Sequence, residues 1–259
     1  MQALNLTSKV ILVTGAAGRI GSAVTRMSLQ QGAHVIAADI SLAGLKSISD
    51  SLSPHCYSKF TPITVDLTNT AAISSIIDNS ATSLGRIDGI VHAAYPRSLK
   101  WGTSFEDLQP EFLTQDLSLQ LGGAILISQA AYRLFSKQGG GTLVHVSSIQ
   151  GVRAPKFEHY ANTGMSSPVE YAAIKSGIIS ITRWLAKYSA NKNIRVNCVS
   201  PGGILDAQPE DFLHRYRQSC TNFGMLSAEQ VASVIVFLLS PNAAAINGQN
   251  IIVDDGWTL

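Results

Sequence analysis

Short apolar runs alternate along the chain with longer segments of helical character. Seven runs have the length of buried strands and are apolar on both faces: 10–13, 33–38, 63–65, 89–91, 143–146, 196–199 and 251–253. Such strands are typical of a parallel sheet covered by helices on both sides. Between them the pattern predicts helices over 19–31, 41–52, 70–84, 110–137, 168–190 and 227–239.

Repeated β-α-β units with right-handed crossovers build a doubly wound sheet. We therefore predict an α/β fold with a doubly wound, mostly parallel sheet and helices on both faces. No linker-like, low-complexity or repetitive stretch interrupts the alternation. Residues 1–259 are accordingly expected to form a single domain.

Composition narrows the class of protein. Hydrophobic residues make up 46% of the chain and charged residues 14%, which excludes a disordered protein. The formal net charge is +2 and no run of Lys or Arg occurs, so nothing indicates nucleic-acid binding. The apolar runs are too short to cross a bilayer, and the first residues lack a signal-peptide pattern. The three cysteines are far apart and form no CxxC pair. These features predict a cytoplasmic protein without a disulfide framework or metal site.

A glycine-rich turn follows the first predicted strand. Gly15, Gly18 and Gly21 stand there, ahead of an apolar helix. Glycines permit a tight turn and close approach of the backbone to a diphosphate, and the helix N-terminus offers unpaired N–H groups. Glycines also mark ordinary strand-to-helix turns, but this position is the one that a dinucleotide site requires. The turn therefore predicts dinucleotide binding.

Asp39 ends the second predicted strand. A carboxylate there accepts hydrogen bonds from ribose hydroxyls and repels a 2′-phosphate. The alternative is a helix N-cap, a role for which Ser41 is equally suited. Arg19 is the opposing observation, because a basic residue in the turn could meet a 2′-phosphate. On balance the sequence favours NAD, with NADP the less favoured cofactor.

Tyr171 and Lys175 are four residues apart in a predicted helix and so lie on one of its faces. A cation beside a phenol favours the phenolate and lowers its pKa, which allows proton exchange near neutral pH. The pair follows a strand that ends in Ser147 and Ser148, at the sheet edge where ligands bind in such folds.

In this order the motifs resemble the short-chain dehydrogenase/reductase family in its single-domain form, over nearly the whole chain. By that resemblance Tyr171 is the general acid/base. Lys175 lowers its pKa and holds the nicotinamide ribose, and Ser148 hydrogen-bonds the substrate oxygen. Gln120 stands where the family has its catalytic asparagine.

The resemblance also implies the cofactor contacts and the assembly. The expected cofactor-binding residues are Gly15, Gly18, Arg19, Ile20, Gly21, Asp39, Asp66, Leu67, Ala93, Ala94, Tyr171, Lys175, Pro201, Gly202 and Ile204. The segments 110–137 and 168–190 imply a homotetramer or homodimer. The apolar ending, residues 257–259, is expected to be buried at another subunit.

Four features depart from the family pattern. The glycine spacing is closer to that of enzymes that modify sugar nucleotides, with Arg19 at the usual middle glycine. Gln120 is one methylene longer than asparagine. The interval from Ser148 to Tyr171 is longer than usual, and Asp206 stands where many members have threonine.

The longer interval places an insertion at 152–170, beside Ser148. It contains Arg153, Lys156, His159 and Tyr160. A basic and aromatic loop suits a hydroxylated or anionic substrate, although a solvated loop or a subunit contact explains it equally. The loop and the chain ending also resemble oxidoreductases of bacterial flagellin and surface-sugar modification clusters, which implies a sugar or sugar-phosphate alcohol as substrate.

The sequence thus predicts an NAD(P)-dependent oxidoreductase that moves a hydride between cofactor and a secondary alcohol or ketone. Two alternatives remain. One is a nucleotide-binding regulator or scaffold of the same fold without turnover. The other is a sugar-nucleotide epimerase or dehydratase that recycles its bound NAD.

Overall fold

The computed structural model describes residues 4–259. Its seven strands form one parallel sheet in the order β3-β2-β1-β4-β5-β6-β7. The strands are β1 Val10–Thr14, β2 His34–Asp39, β3 Phe60–Thr64, β4 Gly89–His92, β5 Gly141–Val146, β6 Ile194–Pro201 and β7 Asn250–Val253. The predicted doubly wound α/β sheet is confirmed, and each of the seven predicted runs contributes a strand.

Nine α-helices connect the strands in the described part of the chain. They are α1 Arg19–Gln30, α2 Leu42–Asp50, α3 Pro54–Tyr57, α4 Thr70–Leu84, α5 Pro110–Asp116, α6 Gly123–Gln138, α7 Val169–Tyr188, α8 Glu210–Arg217 and α9 Ala228–Leu239. None of the helices in residues 4–259 is long and apolar enough to cross a membrane.

Local sequence explains where several helices begin and end. Ser41 begins α2 by accepting a hydrogen bond from the Gly44 amide, and Ser227 begins α9 with a reciprocal capping box. Gly85 and Gly139 end α4 and α6 in the left-handed conformation, which costs glycine little.

Two helical predictions needed correction. The segment 110–137 is not one helix, because a π-helical turn at Leu117–Gly122 separates α5 from α6. Helix α8 was not predicted, because its sequence is mostly polar and buries only Phe212 and Tyr216. Those two residues are four apart, which is the minimum apolar stripe of a helix.

The two faces of the sheet carry separate cores. In β1, Ile11 and Val13 face α1 and α9, whereas Val10 and Leu12 face α4 and α6. This alternation is what strands buried on both faces require. Each fully buried aliphatic side chain contributes about 1.5–3 kcal/mol.

The sheet order determines where a ligand can bind. The chain leaves β1 toward β2 on one side and returns to β4 on the other, so the connections diverge above the carboxyl ends of β1 and β4. A crevice opens at such a point in parallel sheets. The glycine turn after β1 and the serines after β5 are both at this edge.

Candidate active site

Two adjoining cavities occupy the crevice at the carboxyl edge of the sheet. The first, which we call the Asp39 cavity, has a volume of about 540 Å³. The second, the Tyr171 cavity, has a volume of about 570 Å³. Both are lined by Gly15, Gly18, Ala93 and Tyr95. Together they form one elongated groove.

The structure brings nearly all predicted site residues to this groove. The Asp39 cavity is lined by Asp39, Asp66, Leu67 and Ala94, in addition to the shared residues. The remaining predicted residues line the Tyr171 cavity: Arg19, Ile20, Gly21, Ser148, Tyr171, Lys175, Pro201, Gly202 and Ile204. Gln120 is the exception and lines neither.

The glycine turn is required by close packing of the backbone. Gly15 has a φ of +67°, and a Cβ there would lie 2.6 Å from the carbonyl oxygen of Ala93. A Cβ on Gly21 would overlap the carbonyl oxygen of Gly15. Any larger residue at either position would therefore push the turn out of the crevice.

The beginning of α1 fits a diphosphate. Gly18 is the N-cap and has no side chain to satisfy the first N–H groups, and the first turn contains no acidic residue. Unpaired N–H groups and the positive end of the helix dipole then face the groove. These residues could hold the diphosphate of a dinucleotide.

Asp39 connects the glycine turn to the next helix. Its Oδ2 accepts from the Ala17 amide at 2.9 Å, and its Oδ1 accepts from the Ser41 amide at 2.9 Å. Ser41, and not Asp39, is the N-cap of α2. The carboxylate is therefore held in a fixed position at the wall of the Asp39 cavity, as a ribose-binding group requires.

Arg19 does not stand free as a 2′-phosphate ligand. Its guanidinium forms an ion pair with the carboxylate of Asp206, two residues after Ile204 of the Tyr171 cavity. Two of the departures from the family pattern thus contact each other.

Lys175 lies beneath the aromatic rings of the site. Its side chain is buried, and its Nζ donates to the Val146 carbonyl at 3.1 Å. The same Nζ lies 5.4 Å from the ring centre of Tyr171 and 5.2 Å from that of Tyr95. Burial lowers the pKa of Lys175 to about 8, because charge is disfavoured away from water.

The pKa of Tyr171 is raised, and burial is the main cause. A hydrogen bond with Ser148 acts in the opposite direction, while Tyr160 adds a smaller upward contribution. The net shift of the Tyr171 pKa is therefore upward, opposite to the predicted lowering, and Lys175 is not among its causes. The ammonium group faces the ring, whereas desolvation acts directly on the hydroxyl.

The two serines after β5 have different partners. Ser147 donates from its Oγ to the Lys175 carbonyl at 2.8 Å and so holds α7 against the strand. The Ser148 Oγ accepts from the Gln150 amide at 3.2 Å, and Ser148 interacts with Tyr171. Ser148 is thus the serine whose hydroxyl faces Tyr171.

Gln120 lies in the π-helical turn and is only 4% exposed. Both atoms of its amide are buried without a hydrogen-bond partner among the described residues. It does not line the Tyr171 cavity. The position of Gln120 therefore does not support its direct contact with the substrate.

Sequence reasoning missed Tyr95. Its ring packs edge-on against Tyr171 at 5.7 Å and against Trp101 at 5.5 Å, and it forms part of both cavities. The signal was available, because Tyr95 directly follows Ala93 and Ala94 in a segment already assigned to the cofactor channel. Also missed were Gln150, Phe212, Tyr216, Met225 and Trp257.

The insertion contributes to the Tyr171 cavity through neutral side chains. His159, Tyr160, Met165 and Ser166 line it. His159 is buried and lies 3.0 Å from the Ser219 Oγ, and burial lowers its pKa. It therefore acts as a packing residue that fixes the loop.

The two basic residues of the insertion are placed elsewhere. The Lys156 Nζ lies over the Trp257 ring at 5.0 Å, and the exposed Arg153 is not part of the cavity wall. The predicted contact of both with an anionic substrate is thus not supported. Trp257 is 4% exposed within this chain, packed against Tyr216. Trp257 is therefore buried by its own chain, whereas Leu259 is 98% exposed, and burial of the ending at another subunit stays a prediction.

Comparison with known proteins identifies the family. A family model described as enoyl-(acyl carrier protein) reductase matches residues 15–258. The chain belongs to the short-chain dehydrogenase/reductase family. It is accordingly an oxidoreductase that acts on alcohol or carbonyl groups.

Individual relatives span almost the whole chain. A post-translational flagellin modification protein A from Campylobacter coli is 41% identical, covering 98% of this chain and 100% of its own. A 7alpha-hydroxysteroid dehydrogenase from Bacteroides fragilis is 30% identical, with 97% and 95% covered. A short chain dehydrogenase from Leptospira borgpetersenii with bound NAD+ has a TM-score of 0.86 and 31% identity, with 98% and 94% covered.

Among residues 4–259 no group of three His, Cys, Asp or Glu side chains could hold a metal ion.

Proposed function

We propose that this enzyme transfers a hydride between NAD(H) and a secondary alcohol or ketone on a hydroxylated substrate, such as a sugar derivative. The observation that carries the cofactor assignment is the fixed Asp39 carboxylate at one end of a groove whose middle is the glycine turn. A carboxylate there suits the two ribose hydroxyls and opposes a 2′-phosphate. The structural relative with bound NAD+ supports the same assignment.

The bound dinucleotide supplies or accepts the hydride, and the chain supplies the proton. In reduction Tyr171 donates its phenolic proton to the substrate oxygen, and in oxidation its phenolate removes that proton. Ser148 donates a hydrogen bond to the same oxygen. Lys175, with a pKa of about 8, would hold the ribose, and its ammonium form places a positive charge beside the tyrosine. Burial raises the pKa of Tyr171, so the phenol is protonated at neutral pH and can donate its proton in the direction of reduction.

The proposed substrate class is supported by the walls of the Tyr171 cavity. Hydroxyl and amide groups of Ser148, Gln150, Tyr160 and Ser166 line it beside aromatic rings. Arg19 and Lys175 are the cationic side chains of its lining. Arg19 is paired with Asp206, and Lys175 donates to the Val146 carbonyl. This lining favours a neutral, hydroxyl-bearing substrate over a phosphorylated one. The flagellin modification relative is consistent with a substrate used in surface modification.

We further propose that the enzyme works in the cytoplasm as a homotetramer or homodimer and that residues 1–259 act as one domain. The seven-stranded sheet, to which both halves of the chain contribute strands, supports the single domain.

The test follows NADH absorbance with purified enzyme, NAD+ and a panel of polyols, sugars and simple secondary alcohols. We expect the wild type to form NADH. Tyr171→Phe should lower kcat at least about 1000-fold and leave the affinity for the dinucleotide unchanged. Product without net NADH would instead support the recycled-cofactor alternative. Dinucleotide binding without any product would support a scaffold and contradict the proposal.

A further inference from the structure

A third cavity lies between the insertion and the loop that follows β4. This cavity, which we call the outer cavity, has a volume of about 520 Å³, and ligand pockets commonly measure about 300–1,000 Å³. One wall is residues 103–106, and most of the remainder comes from residues 155–169 of the insertion. The Ser166 Oγ donates to the Gly102 carbonyl at 2.8 Å and so joins the two walls. The insertion therefore builds a cavity as well as a loop.

The outer cavity adjoins the Tyr171 cavity. Tyr160, Met165 and Ser166 line both of them. Thr163 holds this segment, because its Oγ1 donates to the Tyr160 carbonyl at 2.7 Å and accepts from the Met165 amide at 3.2 Å. Methionine is an unbranched, flexible side chain that adapts to what packs on it. A substrate group that extends from the Tyr171 cavity past Met165 would enter the outer cavity.

Large apolar side chains stand exposed on both walls of the outer cavity. Phe105 is 73% exposed and belongs to the loop after β4, whereas Phe157 is 66% exposed and belongs to the insertion. Val169, at the start of α7, is 46% exposed in the same lining. Apolar side chains that are clustered and exposed mark a surface that binds another apolar group. Two phenylalanines suit an aromatic ring or an alkyl chain.

The polar groups of the outer cavity are already engaged. Its serine and threonine hydroxyls each donate to an acceptor of this chain at 2.6–2.8 Å: Thr103, Ser104, Ser166 and Ser167. In the described part of the chain, Glu106 is the one charged side chain that lines this cavity. Its carboxylate opposes an anionic group, and the hydroxyl protons are not left for a ligand. The lining therefore suits a neutral, apolar group.

We propose that the outer cavity is a second substrate subsite, which binds an apolar alkyl or aryl substituent at a distance from the reacting carbon. The substrate class is then an alcohol or ketone whose hydroxyl-bearing part occupies the Tyr171 cavity and whose apolar part occupies the outer cavity. This inference rests on the proposed function, because the subsite is defined relative to the reacting carbon.

The experiment compares alcohols that share the reacting carbon and differ in an apolar extension. The probes are butan-2-ol, 4-phenylbutan-2-ol and 6-phenylhexan-2-ol, so that the ring is carried on two lengths of linker. The quantity measured is the ratio of kcat/KM for each phenyl alcohol to that for butan-2-ol in NAD+-dependent oxidation. For the better of the two phenyl alcohols the wild-type ratio should be at least about ten, since burial of an aromatic ring favours binding.

Phe157→Ser and Phe105→Ser should each lower that ratio about two- to tenfold, which is the effect of one aromatic contact. Phe223→Ser is the matched control, because Phe223 is 67% exposed and lines none of the three cavities. It should leave the ratio unchanged. A wild-type ratio near one, or a high ratio that both variants retain, would overturn the inference. A lower mass of Phe157→Ser in light scattering, with the ratio retained, would assign the outer cavity to contact between copies of the chain and would also overturn it.

A second measurement separates this inference from the proposed function. The melting temperature of the enzyme with NADH is recorded with each alcohol, a pair of reduced compounds that needs no turnover. The better phenyl alcohol should stabilise the wild type more than butan-2-ol does, and Phe157→Ser should diminish that difference. Equal stabilisation by all three alcohols, or none, would refute the subsite even if oxidation is observed. A difference that diminishes in Phe157→Ser but not in Phe223→Ser supports the subsite even if no probe is oxidised, in which case only the proposed reaction fails.

Discussion

Arg19 and Asp206 form an ion pair that links the glycine turn to the loop after β6. Arg19 begins α1, and Asp206 follows the cavity-lining segment that ends at Ile204. The side chains are 55% and 45% exposed, so the pair contributes about 0.2–1 kcal/mol to stability. Its main consequence is local charge at the place where we propose that a diphosphate binds.

The pair predicts opposite effects of its two members on dinucleotide affinity. Arg19→Ala leaves an uncompensated carboxylate near the diphosphate, which should weaken NADH binding, whereas Asp206→Ala frees the guanidinium and should strengthen it. Each change should be about two- to fivefold and should diminish in high salt. Fluorescence titration with NADH at two salt concentrations measures both. Effects of the same sign would show that the pair acts by holding the loop and not by its charge.

Asp39 is expected to set the preference for NAD(H) over NADP(H). Asp39→Ala removes the group that accepts from the ribose hydroxyls, so NADH affinity should fall about tenfold, which is the effect of one charged hydrogen bond. It also removes the repulsion of a 2′-phosphate, so the ratio of NADH affinity to NADPH affinity should decrease. The exposed Arg97 at the rim of the same cavity could then meet the phosphate. Asp50→Ala, which removes an exposed carboxylate from α2, is the control for net charge. A wild type that prefers NADPH would contradict the assignment.

His92 is expected to make the enzyme sensitive to acid. It lies at the end of β4 with its Nδ1 2.9 Å from the Thr14 hydroxyl, and burial lowers its pKa from 6.5 to about 4, with Lys175 acting in the same direction. Between these values the unfolded chain binds the proton and the folded chain does not. The contribution of His92 to the free energy of unfolding is therefore complete above pH 6.5 and is lost as the pH falls toward 4. Between pH 7 and pH 5 this group lowers the free energy of unfolding by about 2 kcal/mol.

Urea denaturation at pH 7 and pH 5 tests the role of His92. His92→Asn, which keeps a polar side chain but cannot be protonated, should reduce the loss of unfolding free energy by about that 2 kcal/mol. His214→Asn, on the exposed face of α8, should behave like the wild type. An identical pH dependence of His92→Asn and wild type would mean that His92 is charged in the folded enzyme.

An exposed aromatic pair on α7 bears on the proposed assembly. Trp184 and Tyr188 are 63% and 57% exposed and stack with their centres 4.7 Å apart. Large exposed aromatics are unusual on a surface that stays in water. Trp184→Glu should therefore lower the mass measured by light scattering at micromolar concentration. Leu42→Glu, at a residue 68% exposed on α2, should not. A monomeric wild type would rule out the proposed homo-oligomer.

The sequence by itself determined the framework of this protein. Apolar runs predicted the seven strands. Short-range chain geometry predicted the glycine turn, the position of Asp39 at a strand end and the common helix face of Tyr171 and Lys175, and all of these residues line one groove. Strands that are apolar on both faces can be buried only in a sheet covered on two sides.

Only the tertiary structure decided the chemistry around that framework. The direction of the Tyr171 pKa depends on desolvation by surrounding segments. The ion pair of Arg19 with Asp206 joins residues that are far apart in the chain. Burial and long-range pairing arise from how elements pack, and a local pattern of residues does not encode the distance between two loops.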